Sequence, residues 1–227
     1  MNKLVAGCGW KYEPEWMIKD MKRNMPWVDE FVILDCRKRN ELWMHEGQYR
    51  IMIREMARRA KADWLLICSP DERYETGAGK KIRSLIDDNK NKNIFEFSLK
   101  ELYHPKWYRI DGVWGDKFRR RLYPLLDDQV MKYQPIQCPS MPVNDDYKVV
   151  RVDVNIYHQK MIEPNNRILR AEVFKLLDPQ GIYQGMGYDY LTNESGALLE
   201  RIPTDRMYSP PYRKYVFTVP VKYLQKK

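Results

Sequence analysis

Cysteine is scarce in this chain of 227 residues: Cys8, Cys36, Cys68 and Cys138 are scattered, and no two have C-x-x-C spacing. That excludes a disulfide scaffold, a zinc ribbon and a redox dithiol. The four read as small buried hydrophobes in a reducing compartment. Long apolar runs are also missing. Trp64-Leu65-Leu66-Ile67-Cys68 is typical of the longest, far below the ~18 residues of a membrane span. The N-terminus has no apolar core behind a basic lead, so the expectation is a cytoplasmic protein with no membrane partner. Glycine-rich phosphate loops are absent as well. Gly7-Cys8-Gly9-Trp10 lacks the third glycine of a dinucleotide fingerprint, and neither G-K-[ST] nor G-x-S-x-G occurs. A Rossmann dehydrogenase, a P-loop NTPase and an α/β-hydrolase are therefore disfavoured. No internal repeat or low-complexity tract is present.

Charge and apolar residues are there in quantity. Forty Lys and Arg face 31 Asp and Glu, a formal net charge of +9, and 44% of residues are hydrophobic. A packed globule follows. The basic excess suits DNA, RNA, a nucleotide or an acidic surface, and equally a purely colloidal role.

Periodicity supplies the fold class. Lys3 to Gly7 and Glu30 to Asp35 read as buried strands, and Asp63 to Ser69 as a third. Between them, Pro14 to Lys22 has a helix-start proline and apolar positions at Met17, Ile18 and Met21. Gly47 to Ala62 repeats Met52, Ile53, Met56, Ala57 and Ala60 at helical spacing. Strand, helix, strand, helix, strand predicts βαβ units and a largely parallel sheet. A helix over Ala78 to Asp88, a strand over Asn93 to Phe97, a strand over Lys148 to Tyr157 and a helix over Glu163 to Leu177 follow. The Pro135 to Pro142 stretch and the proline-bearing last thirty residues read as irregular, the latter as a covering tail.

Open α/β sheets bind ligands beyond the carboxyl ends of their strands. Asp35 closes the second strand, and Asp71 lies just past the third in Ser69-Pro70-Asp71-Glu72-Arg73. The text Val28 to Asp35 and Ala62 to Arg73 resembles family 2 glycosyltransferases of the GT-A fold over the first hundred residues. Val154-Asn155-Ile156-Tyr157-His158, with Arg167 and Arg170, and Gly187-Tyr188-Asp189-Tyr190-Leu191 are similar to small phage-encoded members. The resemblance implies a three-layer α/β sandwich around a mostly parallel mixed sheet, with a C-terminal helical and irregular extension. Residues 1–160 would be the catalytic core and 161–227 the helix and covering tail of the same domain. If the chain is viral, its cytoplasm would be the host's.

The implied activity is sugar transfer from a nucleotide-sugar, UDP-linked by precedent, to an acceptor such as modified DNA, protein or glycan. A hard cation, Mn2+ or Mg2+, would stabilise the departing diphosphate. Asp71 and His158 are the metal ligands implied, and Asp35, Gly9, Arg54, Asp71, Arg73 and Arg109 the donor-binding set. The chain departs from the family pattern at Ser69, where the first acid of Asp-x-Asp is expected, and at Gln137-Cys138, where the base is expected. Asp111, Asp127 and Asp128 are the remaining base candidates by location.

Plainer readings stand beside these. Asp35 reads also as a turn cap, Asp71 as a first-turn acid and His158 as a structural histidine. Arg50, Arg54, Arg58 and Lys61 form a stripe that is more readily a solvated face than a phosphate site. Trp107, Tyr108 and Trp114 are either a sugar-stacking wall or core, and Arg119-Arg120-Arg121 either a diphosphate or nucleic-acid contact or a plain surface run. The competing function is a non-catalytic nucleic-acid-binding or virion-associated protein on a degenerate transferase scaffold.

Overall fold

The computed structural model describes residues 2–37, 45–88, 93–144 and 146–216; residues 217–227 of the expected tail lie outside them. Its strands are β1 (Leu4–Trp10), β2 (Glu30–Asp35), β3 (Trp64–Cys68), β4 (Glu72–Tyr74), β5 (Asn93–His104), β6 (Trp107–Arg109), β7 (Phe118–Pro124), β8 (Lys148–His158) and β9 (Leu199–Arg201). The helices are α1 (Glu15–Asn24), α2 (Glu46–Arg59), α3 (Ala78–Asp88) and α4 (Pro164–Leu177).

The strands form one mixed sheet in the order β2-β1-β3-β7-β5-β6-β9, with β8 on β5 and β4 on β8. β1 is parallel to both β2 and β3, and β5 is parallel to β8. The remaining pairings are antiparallel. β1 and β3 are buried on both faces, which is why their sequences read as unbroken apolar runs rather than alternating ones.

Two clusters flank the sheet. Leu4, Ala6, Cys8, Leu66 and Cys68 pack with Ile18 and Met21 of α1 and Ile82 and Ile86 of α3. Val5, Leu65 and Ile67 face the other way, toward Tyr49, Ile53 and Ala57 of α2 and Ala171 and Phe174 of α4. The period-two alternation of the strands thus sorts the helices into outer layers. Gly7 lets α2 come close: a Cβ there would lie 2.4 Å from Ile53 Cγ2. A third cluster of Leu102, Tyr108, Tyr157, Ile202 and Tyr208 forms where the C-terminal segment covers β5 and β6. Among the described residues no helix is long and apolar enough to cross a membrane.

Three sequence readings change. The Asn93 strand runs on to His104, because its second half pairs with both β6 and β8. The stripe Arg50, Arg54, Arg58 and Lys61 is a solvated face only at its Lys61 end. Arg54 is buried, donating to Gln129 Oε1 and Leu126 O, and only 15% of the Arg50 side chain is exposed. Of the aromatic trio, Tyr108 and Trp114 are core and Trp107 alone is exposed. The four cysteines are free and buried, as expected.

Candidate functional site

The carboxyl ends of β1 and β3 open into a cavity of about 690 Å³, a size suited to a small-molecule ligand. Its floor is Gly9, Cys68, Ser69 and Pro70. Glu46, Tyr49, Arg50 and Ile53 of α2 form one wall, and Glu96, Leu99 and Glu101 of β5 with residues 117–121 form another. Residues 136–143 close a side because the first turn of α2 needs acceptors for its amides. Glu46 N donates to Pro135 O at 2.8 Å and Gly47 N to Gln134 O at 3.0 Å. A Cβ on Gly47 would meet the Gln134 backbone nitrogen at 2.8 Å, so glycine permits this approach.

The lining is net basic. Among the described residues, eight Lys and Arg face five Glu and no Asp. Four of the five glutamates are already paired. Glu46 meets Lys11 at 3.8 Å and Arg50 at 3.6 Å, and accepts from Cys138 N at 2.9 Å. Glu72 pairs with Arg121, Glu96 with Arg151 at 2.7 Å, and Glu101 with Lys117. Glu13 is different: it is buried, has no Lys or Arg ion pair among the described residues, and its Oε2 accepts from Lys11 N and Tyr12 N at 3.1 Å each. Burial pushes its carboxyl up.

Along the wall, with Asp71 behind it, runs a line of alternating charges. Lys160 Nζ is 3.0 Å from Asp71 Oδ2, and the same oxygen faces His158 Nε2 at 3.2 Å. His158 Nδ1 faces Glu101 Oε2 at 2.6 Å, and Lys117 completes the line at Glu101 Oε1. With a carboxylate oxygen on each ring nitrogen, both nitrogens must donate, which is the imidazolium form. Burial pulls the His158 pKa down, but Glu101 and Asp71 outweigh it and the net direction is up. Burial pushes both carboxyls up, yet Lys160 and His158 hold Asp71, and His158 and Lys117 hold Glu101, well below the usual range.

The residues singled out from sequence disperse. Gly9 and His158 line the cavity. Asp71 sits directly behind it, fully buried, held in place because β4 pairs antiparallel with β8 and its carbonyl accepts from Gln159 N at 2.8 Å. Asp35 is exposed at the end of β2, with Arg37 forked onto its carboxylate and stacked over the Trp10 ring at 3.4 Å. Arg73 is buried with its guanidinium on the carbonyls of Pro70 and Glu72, away from the cavity. Arg109 and Asp111 form a two-pronged pair that also binds Asn193 O and Leu198 N, so they pin the C-terminal segment to the sheet. Asp127 is solvent-exposed on Arg58, and Asp128 shares that exposed loop. None of Asp35, Arg54, Arg73, Arg109, Asp111, Asp127 and Asp128 lines the cavity.

The sequence reading passed over Lys11, Glu13, Glu101, Lys117 and Lys160. Lys160 lies in the 3-10 turn Gln159–Met161 just after β8, where strand periodicity gives no signal.

The donor set does not fit the divalent cation that the resemblance implies. Hard cations need several outward-facing oxygens. Here Asp71 turns Oδ2 toward two cations, and its Oδ1, though without a hydrogen-bond partner, is sealed from the cavity. Ser69 stands where a second carboxylate would help, and both nitrogens of His158 are occupied. Among the described residues no three His, Cys, Asp or Glu are grouped to hold a metal.

No family model and no curated protein matches the sequence. Solved structures with similar topology include S. aureus TarS, at 8% identity and a TM-score of 0.42 over 78% of this chain and 40% of that one. A197 from STIV has 13% identity and a TM-score of 0.40 over 70% of this chain and 85% of that one. A glycosyltransferase involved in the glycosylation of the major capsid of PBCV-1 has 11% identity and a TM-score of 0.34 over 54% and 59%. The chain thus spans less than half of TarS. Similarities at this level assign no residue role and no substrate.

Proposed function

We propose that this cavity binds a nucleotide-sugar and that the protein is a glycosyltransferase. The observation that carries the proposal is the basic lining of a cavity sized for a nucleotide-sugar, at the carboxyl ends of parallel strands. A nucleoside diphosphate leaving group brings concentrated negative charge, and Lys117, Arg119, Lys160 and Arg170 are the lining groups that would meet it. The resemblance of Val28 to Asp35 and Ala62 to Arg73 to family 2 glycosyltransferases supports the same reading.

In the proposed reaction an acceptor hydroxyl oxygen bonds to the anomeric carbon while the bond from that carbon to the diphosphate oxygen breaks. The diphosphate leaves with the electron pair, and the hydroxyl proton passes to a carboxylate. Glu13 is assigned that role. It is the lining acid without a Lys or Arg ion pair among the described residues, and burial raises its proton affinity. Part of the basic excess of the sequence lies in the pocket lining, eight Lys and Arg against five Glu, which supports this reading.

The test is mass spectrometry of a panel of UDP-, GDP-, ADP- and dTDP-sugars incubated with the protein. Release of one nucleoside diphosphate, by transfer or slow hydrolysis, is the expected result. If no donor is turned over and none raises the melting temperature, the proposal fails.

A further inference from the structure

Asp71, next to the cavity floor, is turned away from the cavity, and the two cationic groups it holds line it. Asp71 is fully buried and absent from the lining, while Lys160 and His158 wall the cavity. The line Lys160, Asp71, His158, Glu101, Lys117 therefore has Asp71 inside, Glu101 in the wall with both carboxylate oxygens engaged by His158 and Lys117, and an ammonium group at each end on the cavity surface. Each ammonium is also seated on an aromatic ring. Lys160 Nζ lies 5.2 Å from the centroid of Tyr12, and Lys117 Nζ 5.0 Å from that of Trp114. A lysine free in solvent loses rotamer entropy when it meets a phosphate; these two are already ordered.

We infer that the leaving diphosphate is met by the ammonium groups of Lys160 and Lys117, fixed at the two ends of the Asp71–His158–Glu101 line, with no divalent cation between protein and phosphate. The inference rests on the nucleotide-sugar reading and departs from the metal assistance that the resemblance implies. Asp71 is then a positioning residue. A metal at this place would have to displace Lys160 from Asp71 and bring the carboxylate out of the interior, separating a buried pair 3.0 Å apart. Ser69 agrees with this arrangement, because a second carboxylate there would place negative charge beside the phosphates.

Titration calorimetry of the full chain against UDP, GDP, ADP and dTDP tests it, in excess EDTA and again in manganese chloride. The expected result is binding of one nucleoside diphosphate in EDTA, changed little by manganese. Lys160→Met and Lys117→Met should each weaken it by about tenfold or more, the scale of one charge-assisted hydrogen bond. Lys160→Arg, which keeps the charge, should retain most of the affinity. Circular dichroism confirms that each variant is folded, and the two lysines at opposite ends guard against one variant that is not. Binding that requires manganese overturns the inference and leaves the donor reading standing, as does unchanged binding in both folded Met variants. If no nucleoside diphosphate binds in either buffer, the donor reading itself fails and the inference with it.

Discussion

Replacing Asp71 with Asn separates a carboxylate that locks cations from one that awaits a metal. Asp71 is 0% exposed and makes two charged contacts, to His158 at 3.2 Å and Lys160 at 3.0 Å. Hydrogen bonds to charged groups contribute about 1.5–3 kcal/mol each, and removing one partner of a buried ion pair costs about 3–5 kcal/mol. The lower end applies here. Lys160 borders the cavity and can turn toward water, His158 keeps Glu101, and burying the unpartnered Oδ1 of a carboxylate is itself unfavourable. Asp71→Asn should therefore destabilise by about 3 kcal/mol, lowering the melting temperature of a chain this size by roughly 6–12 °C.

A double-mutant cycle with Lys160→Met isolates the pair. If Asp71 holds Lys160, the combined variant loses less than the sum of the singles, with a coupling near 2 kcal/mol, inside the range of about 0.5–3 kcal/mol found for residues in contact. Urea unfolding in EDTA is the assay. A carboxylate kept for a metal strains the metal-free fold, so its removal would leave stability in EDTA unchanged or raised. That outcome, or additivity within about 0.5 kcal/mol, would refute the locking role.

Other residues give independent checks. Glu13→Gln should lower kcat/KM by about 10²–10⁴ and remove the acidic limb of its pH profile, the signature of a lost general base; an unchanged profile would rule the residue out. Asp111 is held at about 2, below its ordinary 3.8, chiefly by the hydrogen bonds from Arg109. Its stabilising effect is thus present above pH 3.8 and lost as pH falls through about 2, so the gap between the urea midpoints of wild type and Asp111→Asn should close between those values. Gly7→Ala should destabilise by about 1–3 kcal/mol through overpacking, because its Cβ would lie 2.4 Å from Ile53 Cγ2. Adding Ile53→Val, which removes only Cδ1, should not rescue it, whereas Ile53→Ala should recover part of the loss in the unfolding midpoint.

Much of the layered core was legible because its signals are local. The period of α1, α2, α3 and α4, the unbroken apolar runs of β1 and β3, and Asp71 beyond the third strand all appear within windows of a few residues. The arginine stripe of α2 shows where that reading stops. Helical spacing put Arg54 and Arg58 on one face, but what covers them is the loop carrying Leu126 and Gln129. Nothing in the spacing of α2 announces a loop so distant in sequence.

The base candidates failed to meet the cavity for the same reason. Asp111 satisfies Arg109 and Leu198, and Asp127 satisfies Arg58, so each acid is spent on local architecture. Glu13 carries no motif, and only the closing of α2, β5 and residues 136–143 over it makes it a cavity acid. What the sequence determined by itself was the layering and the carboxyl ends at which a cavity opens, since side-chain period and strand burial follow from the chain's own geometry. Only tertiary structure decided that Asp71 faces inward on Lys160 and His158. The β4–β8 pairing brings residues 87 apart in sequence into contact at 3.2 Å, and the burial that results turns a carboxylate that could face a ligand into one that anchors two cationic groups of the cavity wall.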